Sequence, residues 1–412
     1  MQNWQTKNAC RSCGATNLST IIEFGRTPIA DALLTREQLT PEELKVPLTF
    51  AFCNQCVLAQ ILEEVNPEVL FCRNYPYYSS VSPYGMNHFR QSALDLVAER
   101  QLTSKSLVIE AASNDGYMLR NFAEKGIPVL GIDPAEGPAK QAIQANINTL
   151  IDFFTQKLAT ELASQGKKAD VFLANNVLAH VADLNGFVEG IRILLKDDGV
   201  AVIECPYVVN LVEHCEFDTI YHQHLCYFSV TALDFLFRRH GLYLNRIKNV
   251  AIHGGSLRLF IEKKEDVQAS VRELLESEKR QKVNNFAYYK NFASKVNSVK
   301  TRLLALLDEL KQKKARIAGY GAAAKANTLT AYCGIGSNYL DYICDLSKFK
   351  QGLFFSGSHL PIVPPSKIVE DQPDYVLILA WNFAEEIMNQ QAAYKANGGR
   401  FVIPIPDPRI AA

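Results

Sequence analysis

Four cysteines of this 412-residue chain are spaced so that they could bind a metal ion. They form two CxxC pairs, Cys10 with Cys13 and Cys53 with Cys56. Each pair can place two thiolates on one side of a tight turn, and two such turns complete the tetrahedral sulfur shell that suits zinc. Because a closed shell leaves no position open for substrate, we predict a structural zinc site. Redox CxxC motifs and ordinary buried cysteines are the alternatives.

A group of polar residues follows an apolar strand further along the chain. Residues 110–116 read EAASNDG and precede a helical stretch, so backbone amides at this turn can face a polar ligand. The turn has one glycine where a dinucleotide pyrophosphate needs several, which leaves room for a ligand without phosphate, such as S-adenosylmethionine (SAM). Asp133 ends the next strand, where a carboxylate can accept hydrogen bonds from both ribose hydroxyls. The alternatives are an ordinary loop and a helix-capping role for Asp133.

The predicted SAM contacts continue along the same sheet edge. Asp152 and Phe153 follow a third apolar stretch and could bracket the adenine, whereas Asn175 and Asn176 end the fourth strand near the methionine portion. The predicted cofactor set is Glu110, Ala112, Asn114, Asp115, Gly116, Asp133, Asp152, Phe153, Asn175 and Asn176.

A second glycine-containing loop lies near the C-terminus, between a strand and a helix. Residues 319–325 read GYGAAAK, in which glycines let backbone amides approach a pyrophosphate and a lysine adds positive charge. Such a loop equally fits NAD, whose ribose-binding acid would be Asp345. The residues predicted to bind substrate here are Gly319, Gly321, Ala322, Lys325, Asp345, Lys350, Trp381 and Asn382; plain loop and core roles are the alternative for the last three.

The elements that must position these residues alternate between strand and helix. We predict an α/β protein with three domains: a small β-rich zinc-binding module (1–72), a Rossmann-like SAM-binding domain (73–265), and a helical linker followed by a Rossmann-like α/β domain (266–412). Residues from about 266 to 314 are charged, largely free of Gly and Pro, and apolar at helical spacing, which predicts long connecting helices.

Composition restricts the classes of partner. Lys and Arg number 43, as do Asp and Glu, so no overall positive charge recruits nucleic acid or an anionic membrane. We find no apolar run long enough for a membrane span and no signal peptide, so we expect a cytoplasmic protein, either a monomer or a small homo-oligomer. Ten cysteines in a chain of this length favour metal binding over a disulfide scaffold.

Taken in order, the motifs resemble those of one enzyme family. The CxxC pairs, YPYYSS, EAASNDG, NNVLAHV, IECPY, FDTIYHQHLCYFS, HGGSLR and GYGAAAKANTL are similar to those of nucleotide-sugar C-methyltransferases, over almost the whole chain. The resemblance implies methyl transfer from SAM to a 4-keto-deoxysugar linked to a nucleotide diphosphate, at a site between the last two domains. The methylated carbon would flank the ketone, and the C-terminal domain would bind the sugar nucleotide.

The resemblance also implies roles for individual residues. His224 would be the base, Tyr221 would line the sugar site, and His180 and Tyr75 would donate to the carbonyl or to sugar hydroxyls. His222 is predicted to be structural. In an extended segment, Tyr221 and Gln223 would share one face and the two histidines the other; a turn would break that alternation.

Gln223 departs from the family pattern, which has glutamate at this position of a YHEH motif. An amide can hydrogen-bond but cannot carry a negative charge. If a carboxylate normally stabilises the protonated histidine, its loss lowers the pKa of that histidine, and Gln223→Glu should raise activity. A compensating acid, a different substrate, or a sugar-nucleotide-binding protein without methyl transfer are the alternatives, beside an NAD-dependent oxidoreductase.

Overall fold

The computed structural model describes residues 3–40, 42–72, 78–250 and 255–411. The N-terminal part is a small antiparallel sheet. Its strands are β1 (Trp4–Thr6), β2 (Leu18–Pro28), β3 (Lys45–Cys53), β4 (Ala59–Ile61) and β5 (Glu63–Val65). Strands β2, β3 and β4 pair in that order, and β1 pairs with β5 as a separate ribbon. Alternate residues of β3 are buried from Val46 to Phe52, which is the period that a strand with one covered face requires.

The central part is a Rossmann-like α/β unit, as predicted. Its elements are α1 (Pro83–Glu99), β6 (Val108–Ala111), α2 (Arg120–Ala123), β7 (Val129–Ile132), α3 (Glu136–Gln144), β8 (Thr149–Leu150), α4 (Gln156–Ser164), β9 (Ala169–Asn175), α5 (Leu184–Leu194), β10 (Leu195–Pro206), α6 (Val208–Glu213), β11 (Cys226–Tyr227), α7 (Val230–Arg239), β12 (Tyr243–Val250) and β13 (Ser256–Glu262). The sheet order is β12-β13-β10-β9-β6-β7-β8, parallel from β10 to β8 and antiparallel at β13 and β12.

Two helices lead to the C-terminal part, as the charged sequence predicts. They are α8 (Ala269–Gln281) and the 27-residue α9 (Phe286–Gln312). In α9 the buried side chains include Phe292, Val296 and Val299, which recur every three or four residues and so form one apolar stripe.

The C-terminal part is a second Rossmann-like unit, which confirms the predicted fold class. Its elements are β14 (Ile317–Tyr320), α10 (Ala324–Cys333), β15 (Ile343–Cys344), β16 (Ile362–Val363), α11 (Ser366–Asp371), β17 (Tyr375–Ile378), α12 (Ala384–Gln390), α13 (Ala392–Ala396), β18 (Arg400–Ile403) and β19 (Arg409–Ala411). The sheet order is β16-β15-β14-β17-β18-β19, with only the last pair antiparallel.

The N-terminal sheet packs tightly against the rest of the chain. Strand β11 of the central part pairs with β4 and extends the small sheet to four strands. The stripe of α9 covers β3, where Phe52 lies 4.9 Å from Tyr289 between ring centroids. The segment just before β11 therefore lies where the N-terminal and central parts join. Among the helices of the described ranges, none combines the length and the apolar character needed to cross a bilayer.

Candidate active site

The four predicted zinc ligands converge at one point of the N-terminal sheet. Their sulfur atoms all lie within 4.8 Å of one another, with Cys10 3.4 Å from Cys56 and Cys13 3.5 Å from Cys53. A tetrahedral shell with Zn–S bonds of about 2.3 Å requires sulfur atoms about 3.8 Å apart, so the four thiols fit zinc. The site is closed and lies in the hydrophobic core, which suits a structural role.

The predicted cofactor turn follows β6 directly. Ala112, Asn114 and Gly116 have positive φ angles, so the chain turns sharply at the carboxyl edge of the sheet, and the amides of Ser113 and Gly116 bond to the carbonyls of Ile132 and Ser113. The side chains of Asn114 and Asp115 accept hydrogen bonds from the amides of Ser79 (2.9 Å) and Ser80 (3.1 Å). These two side chains therefore anchor the segment that enters α1, and what they leave for a cofactor is chiefly the backbone of the turn.

Asp133 joins the cofactor turn to the end of β7. Its carboxylate accepts one hydrogen bond from the amide of Asn114 and one from the amide of Ala135, each at 2.8 Å. Because each carboxylate oxygen has a second lone pair, both can still accept a ribose hydroxyl. Burial raises the pKa of Asp133 to about 6. The two amide hydrogen bonds lower this pKa, but their effect is smaller than that of burial.

The remaining predicted cofactor residues lie along the same edge. The Asn175 amide donates to Glu110 (3.1 Å), a fully buried carboxyl whose pKa burial raises well above its usual range. The backbone of Asn176, which has positive φ, bonds to the carbonyl of Glu204. Asp152 and Phe153 follow β8, beside Asp133, and the Asp152 carboxylate accepts from the Phe153 amide (2.7 Å).

Residues 221–224 form a turn, so the alternation of an extended segment does not apply. The amide of His224 bonds to the carbonyl of Tyr221 at 2.9 Å, which brings the two outer side chains together. Their rings lie 4.1 Å apart between centroids, and the Tyr221 hydroxyl lies 2.9 Å from His224 Nε2.

The hydrogen bonds of His224 fix the position of its proton. Nδ1 lies 2.9 Å from the carbonyl oxygen of Thr219, which can only accept, so Nδ1 is the protonated nitrogen. In the neutral ring Nε2 then carries the lone pair and accepts from the Tyr221 hydroxyl. His224 is thus arranged to accept a proton at Nε2.

The two middle residues of the turn face the N-terminal sheet. His222 is buried, and its Nε2 donates to the carbonyl of Pro47 at 2.9 Å, which agrees with a structural role. The Gln223 amide is buried and donates to the carbonyl of Ala30 at 3.4 Å. An ionised glutamate has no proton to donate to this carbonyl, whereas the amide of Gln223 does.

His180 lies beside this turn, in the loop after β9. Its ring is 4.8 Å from that of His224 and 5.7 Å from that of Phe71, both in edge contact. Burial lowers the pKa of His180 to about 4, so the ring is neutral at pH 7. Tyr75, the remaining predicted active-site residue, lies outside the described residues.

The C-terminal loop follows β14. Gly319 lies within the strand, whereas Gly321 in the loop has a φ of 99° and its missing Cβ would lie 2.6 Å from that of Ala380. Asp345 accepts from the amide of Ala322 at 2.8 Å and so closes the loop. Gly321 is therefore needed for close packing as well as for the turn.

The two predicted lysines flank this loop, and both have partners. Lys325 Nζ donates to Asn382 Oδ1 (2.9 Å), lies 4.0 Å from the ring centroid of Trp381, and is 3.7 Å from Asp218. Lys350 Nζ donates to the carbonyl of Ala322 (2.7 Å) and pairs with Asp31 (3.2 Å). The loop thus brings the predicted substrate residues together. The charge of each lysine is already partly offset by a neighbouring carboxylate.

Sequence reasoning missed several polar residues of the central part. Thr219 and Asp218 belong to the FDTIYHQH motif, and Asp218 is fully buried. A buried ion pair joins Glu204 to Arg258 at 2.5 Å, and these residues belong to the IECPY and HGGSLR motifs. His88 of α1 lies 3.0 Å from Glu204 and completes this cluster.

Comparisons with known proteins identify the family. Three family models match the chain in succession: a zinc binding domain at residues 10–71, a methyltransferase domain at 86–246, and a C-methyltransferase C-terminal domain at 251–406. C-methyltransferase NovU from Streptomyces niveus is 35% identical over 405 residues, which cover 97% of this chain and 96% of NovU.

More distant matches cover less than half of the chain. Ubiquinone biosynthesis O-methyltransferase from Bartonella tribocorum is 30% identical over 97 residues, or 23% of this chain and 39% of that enzyme. The SAM-bound structure of magnesium protoporphyrin IX methyltransferase from Synechocystis is 15% identical, covers 43% of this chain and 79% of that one, and has a TM-score of 0.33. On the full-length match to NovU and the three family models, the chain belongs to the C-methyltransferase family and is a SAM-dependent methyltransferase with a four-cysteine zinc site.

Proposed function

We propose that the protein methylates the carbon next to the ketone of a nucleotide-linked 4-keto-deoxysugar. The observation that carries this proposal is the series of hydrogen bonds from Thr219 through His224 to Tyr221. It presents an unprotonated imidazole nitrogen beside a phenol, and such a nitrogen can act as the general base that removes a proton from carbon.

His224 is the proposed base. A hydrogen on the carbon next to a ketone can be removed when a base and hydrogen-bond donors for the enolate oxygen lie beside it. The proton passes to Nε2, the C–H electron pair becomes the enolate, and the imidazolium keeps its Nδ1–H bond to Thr219. The Tyr221 hydroxyl must first turn from Nε2 towards a sugar oxygen, which frees the lone pair that takes this proton.

His180 is the proposed donor to the ketone oxygen. Because its pKa is lowered to about 4, it is a neutral ring that can donate one N–H without giving up its proton. A neutral donor favours a hydrogen bond to the enolate over transfer of a proton to it. Tyr75 is proposed as a second donor from sequence alone.

The central sheet edge supplies the proposed SAM contacts. When bound, SAM supplies an electrophilic methyl group on a positively charged sulfur. The carboxylate of Asp133 would accept the ribose hydroxyls, and the turn from Glu110 to Gly116 would lie against the cofactor. The acids at this edge favour a cationic ligand.

The C-terminal loop is the proposed sugar-nucleotide site. Gly321 and Ala322 precede α10, so the first backbone amides of that helix and its positive end lie beside the loop. Lys325 and Lys350 lie beside the loop and favour an anion such as a diphosphate.

We assign residues 1–72, 73–265 and 266–412 to the zinc, SAM and sugar-nucleotide domains. The described cysteines form no disulfides, which suits the reducing cytoplasm.

Methyl transfer from labelled SAM tests the proposal directly. The acceptors are thymidine- and uridine-diphosphate-linked 4-keto-deoxysugars, and hydrogen exchange with D₂O at the attacked carbon is followed separately. We expect exchange without SAM and label in the sugar with it. Absence of both across the panel, in protein that binds S-adenosylhomocysteine (SAH), would reject the sugar substrate. Tight binding of NADH would favour the oxidoreductase instead.

A further inference from the structure

A buried carboxylate links the C-terminal domain to the proposed base. Asp218 is fully buried in the turn before Thr219. Its Oδ2 accepts from the indole N–H of Trp381 at 2.7 Å and lies 3.7 Å from Lys325 Nζ. Its Oδ1 has no hydrogen-bond partner among the described residues.

Both partners of Asp218 come from the carboxyl edge of the C-terminal sheet. Lys325 lies in the first turn of α10, directly after the loop proposed to bind the diphosphate, and Trp381 follows β17. A third contact joins the same elements, because the Thr328 hydroxyl of α10 donates to the carbonyl of Ile220 at 2.6 Å. Residues 218–220 are thus bound to the domain that would hold the sugar nucleotide.

The next residue along the chain determines the tautomer of His224. The carbonyl of Thr219 accepts from His224 Nδ1 at 2.9 Å and from the hydroxyl of Tyr227 at 3.3 Å. If this carbonyl turned away, the Nδ1 proton would lose this acceptor, and we expect Nε2 to carry the proton in part of the molecules.

A stabilising role alone does not account for the pair of Asp218 and Lys325. Removing two charges from water costs about as much as their attraction returns, and at 3.7 Å this pair makes no direct hydrogen bond. A second buried acid, Glu216, adds negative charge, and Lys325 offsets both carboxylates. The cluster is costly in free energy, yet it fixes the backbone of one short turn from three sides.

We propose that Asp218 is a positioning residue for His224, through which the sugar-nucleotide domain aligns the base. This inference rests on the proposed function, because it takes His224 as the base. It assigns the C-terminal domain a part in the proton transfer itself, beyond substrate affinity. Lys325 then serves two neighbours, the diphosphate loop and Asp218.

Steady-state kinetics of Asp218→Asn separate positioning from binding. We expect kcat to fall about 10- to 100-fold, the effect of misplacing a reacting group by about 1 Å, and D₂O exchange to fall equally. The KM for the ketosugar and the Kd for SAH should change by less than about threefold. Asp308→Asn is the matched control, since Asp308 also accepts from one aromatic side chain, Tyr339, but on the exposed face of α9.

The tautomer itself can be read without turnover. In protein with ¹⁵N-labelled histidine, the His224 signals, assigned by their loss in His224→Gln, should show protonated Nδ1 in the wild type and a mixture of tautomers in Asp218→Asn. Trp381→Phe keeps the ring face for Lys325, removes the indole donor, and serves if Asp218→Asn fails to fold. Unchanged tautomer and kcat in both variants would overturn the proposal. A wild type that shows the Nδ1–H tautomer but no methyl transfer would instead reject the proposed function.

Discussion

The two α/β parts of the chain use the same device at corresponding positions. In the central part, Asp133 accepts from the amide of Asn114 in the preceding turn and from the amide two residues beyond itself, both at 2.8 Å. In the C-terminal part, Asp345 accepts from Ala322 and from the amide two residues beyond itself, again both at 2.8 Å. Each acid closes a strand–turn–helix unit at the sheet edge where we propose that a ligand binds.

The charges around the two devices differ. Near Asp133 the pKa of Glu110 is raised chiefly by burial and further by the neighbouring acids Asp133 and Asp115. Beside the C-terminal loop lie Lys325 and Lys350. The comparison leads us to expect that backbone geometry provides a site in both parts, whereas side-chain charge selects a cationic or an anionic ligand. The proposed base, His224, belongs to neither device, because it lies in a turn between them in the sequence.

The largest expected effect comes from removing the base and leaving both devices intact. His224→Gln should lower the rate of methyl transfer about 10³-fold, within the range for losing a general base. The affinities for SAH and for thymidine diphosphate should stay as in the wild type, measured by calorimetry. His359→Gln, a half-exposed histidine of the C-terminal part, is the control. A near-normal rate in His224→Gln would mean that another group removes the proton.

Asp133→Ala should weaken only the proposed SAM site, and Asp345→Ala should weaken only the proposed sugar-nucleotide site. Asp133→Ala removes the carboxylate proposed to accept the ribose hydroxyls, and hydrogen bonds to a charged group contribute about 1.5–3 kcal/mol each, so we expect SAH to bind about 100-fold more weakly. Asp345→Ala affects a half-buried position, so thymidine diphosphate should bind about tenfold more weakly. Each variant is the other's control. A loss of both affinities in either variant would show that the two sites do not act independently.

The affinity for SAH should depend on pH through Asp133. Its pKa is about 6, so the carboxylate is ionised at pH 7.5 and becomes protonated as the pH falls through 6. SAH should bind about tenfold more weakly at pH 5, and Asp133→Asn should remove this dependence. The folded pKa lies above the unfolded one, so this group makes the free protein more stable, not less, as the pH falls from about 6 to 4. An equal pH slope in Asp133→Asn would assign the effect to a different group.

Much of this comparison could be predicted from sequence because it depends on local order. Strand, turn, helix and a terminal acid recur in both parts, and neighbouring parallel strands bring their carboxyl ends to one edge. The zinc ligands could also be predicted from sequence, since a four-cysteine site requires only that the two CxxC turns lie next to each other. The position of Asp133 at the end of β7 and of Asp345 after β15 follows from the same patterns.

The geometry of residues 218–224 could not be predicted in detail, because it depends on contacts with residues that are distant in sequence. The partner of Gln223 is Ala30, 193 residues away, and that of Asp218 is Trp381, 163 residues away. No periodicity encodes such contacts. The alternation rule also failed there, since residues 221–224 close a turn through one backbone hydrogen bond.

The smallest expected effect concerns Gln223, which sequence alone singled out. Its amide donates to Ala30, whereas His224 bonds to Thr219 and Tyr221. Gln223→Glu should therefore leave the transfer rate within about threefold of the wild type. It should lower the melting temperature by about 2–4 °C, because a carboxylate cannot donate to the Ala30 carbonyl. Gln223→Met, which removes the donor without adding charge, is the control. A tenfold faster rate in Gln223→Glu alone would show that a carboxylate at this position does support the base.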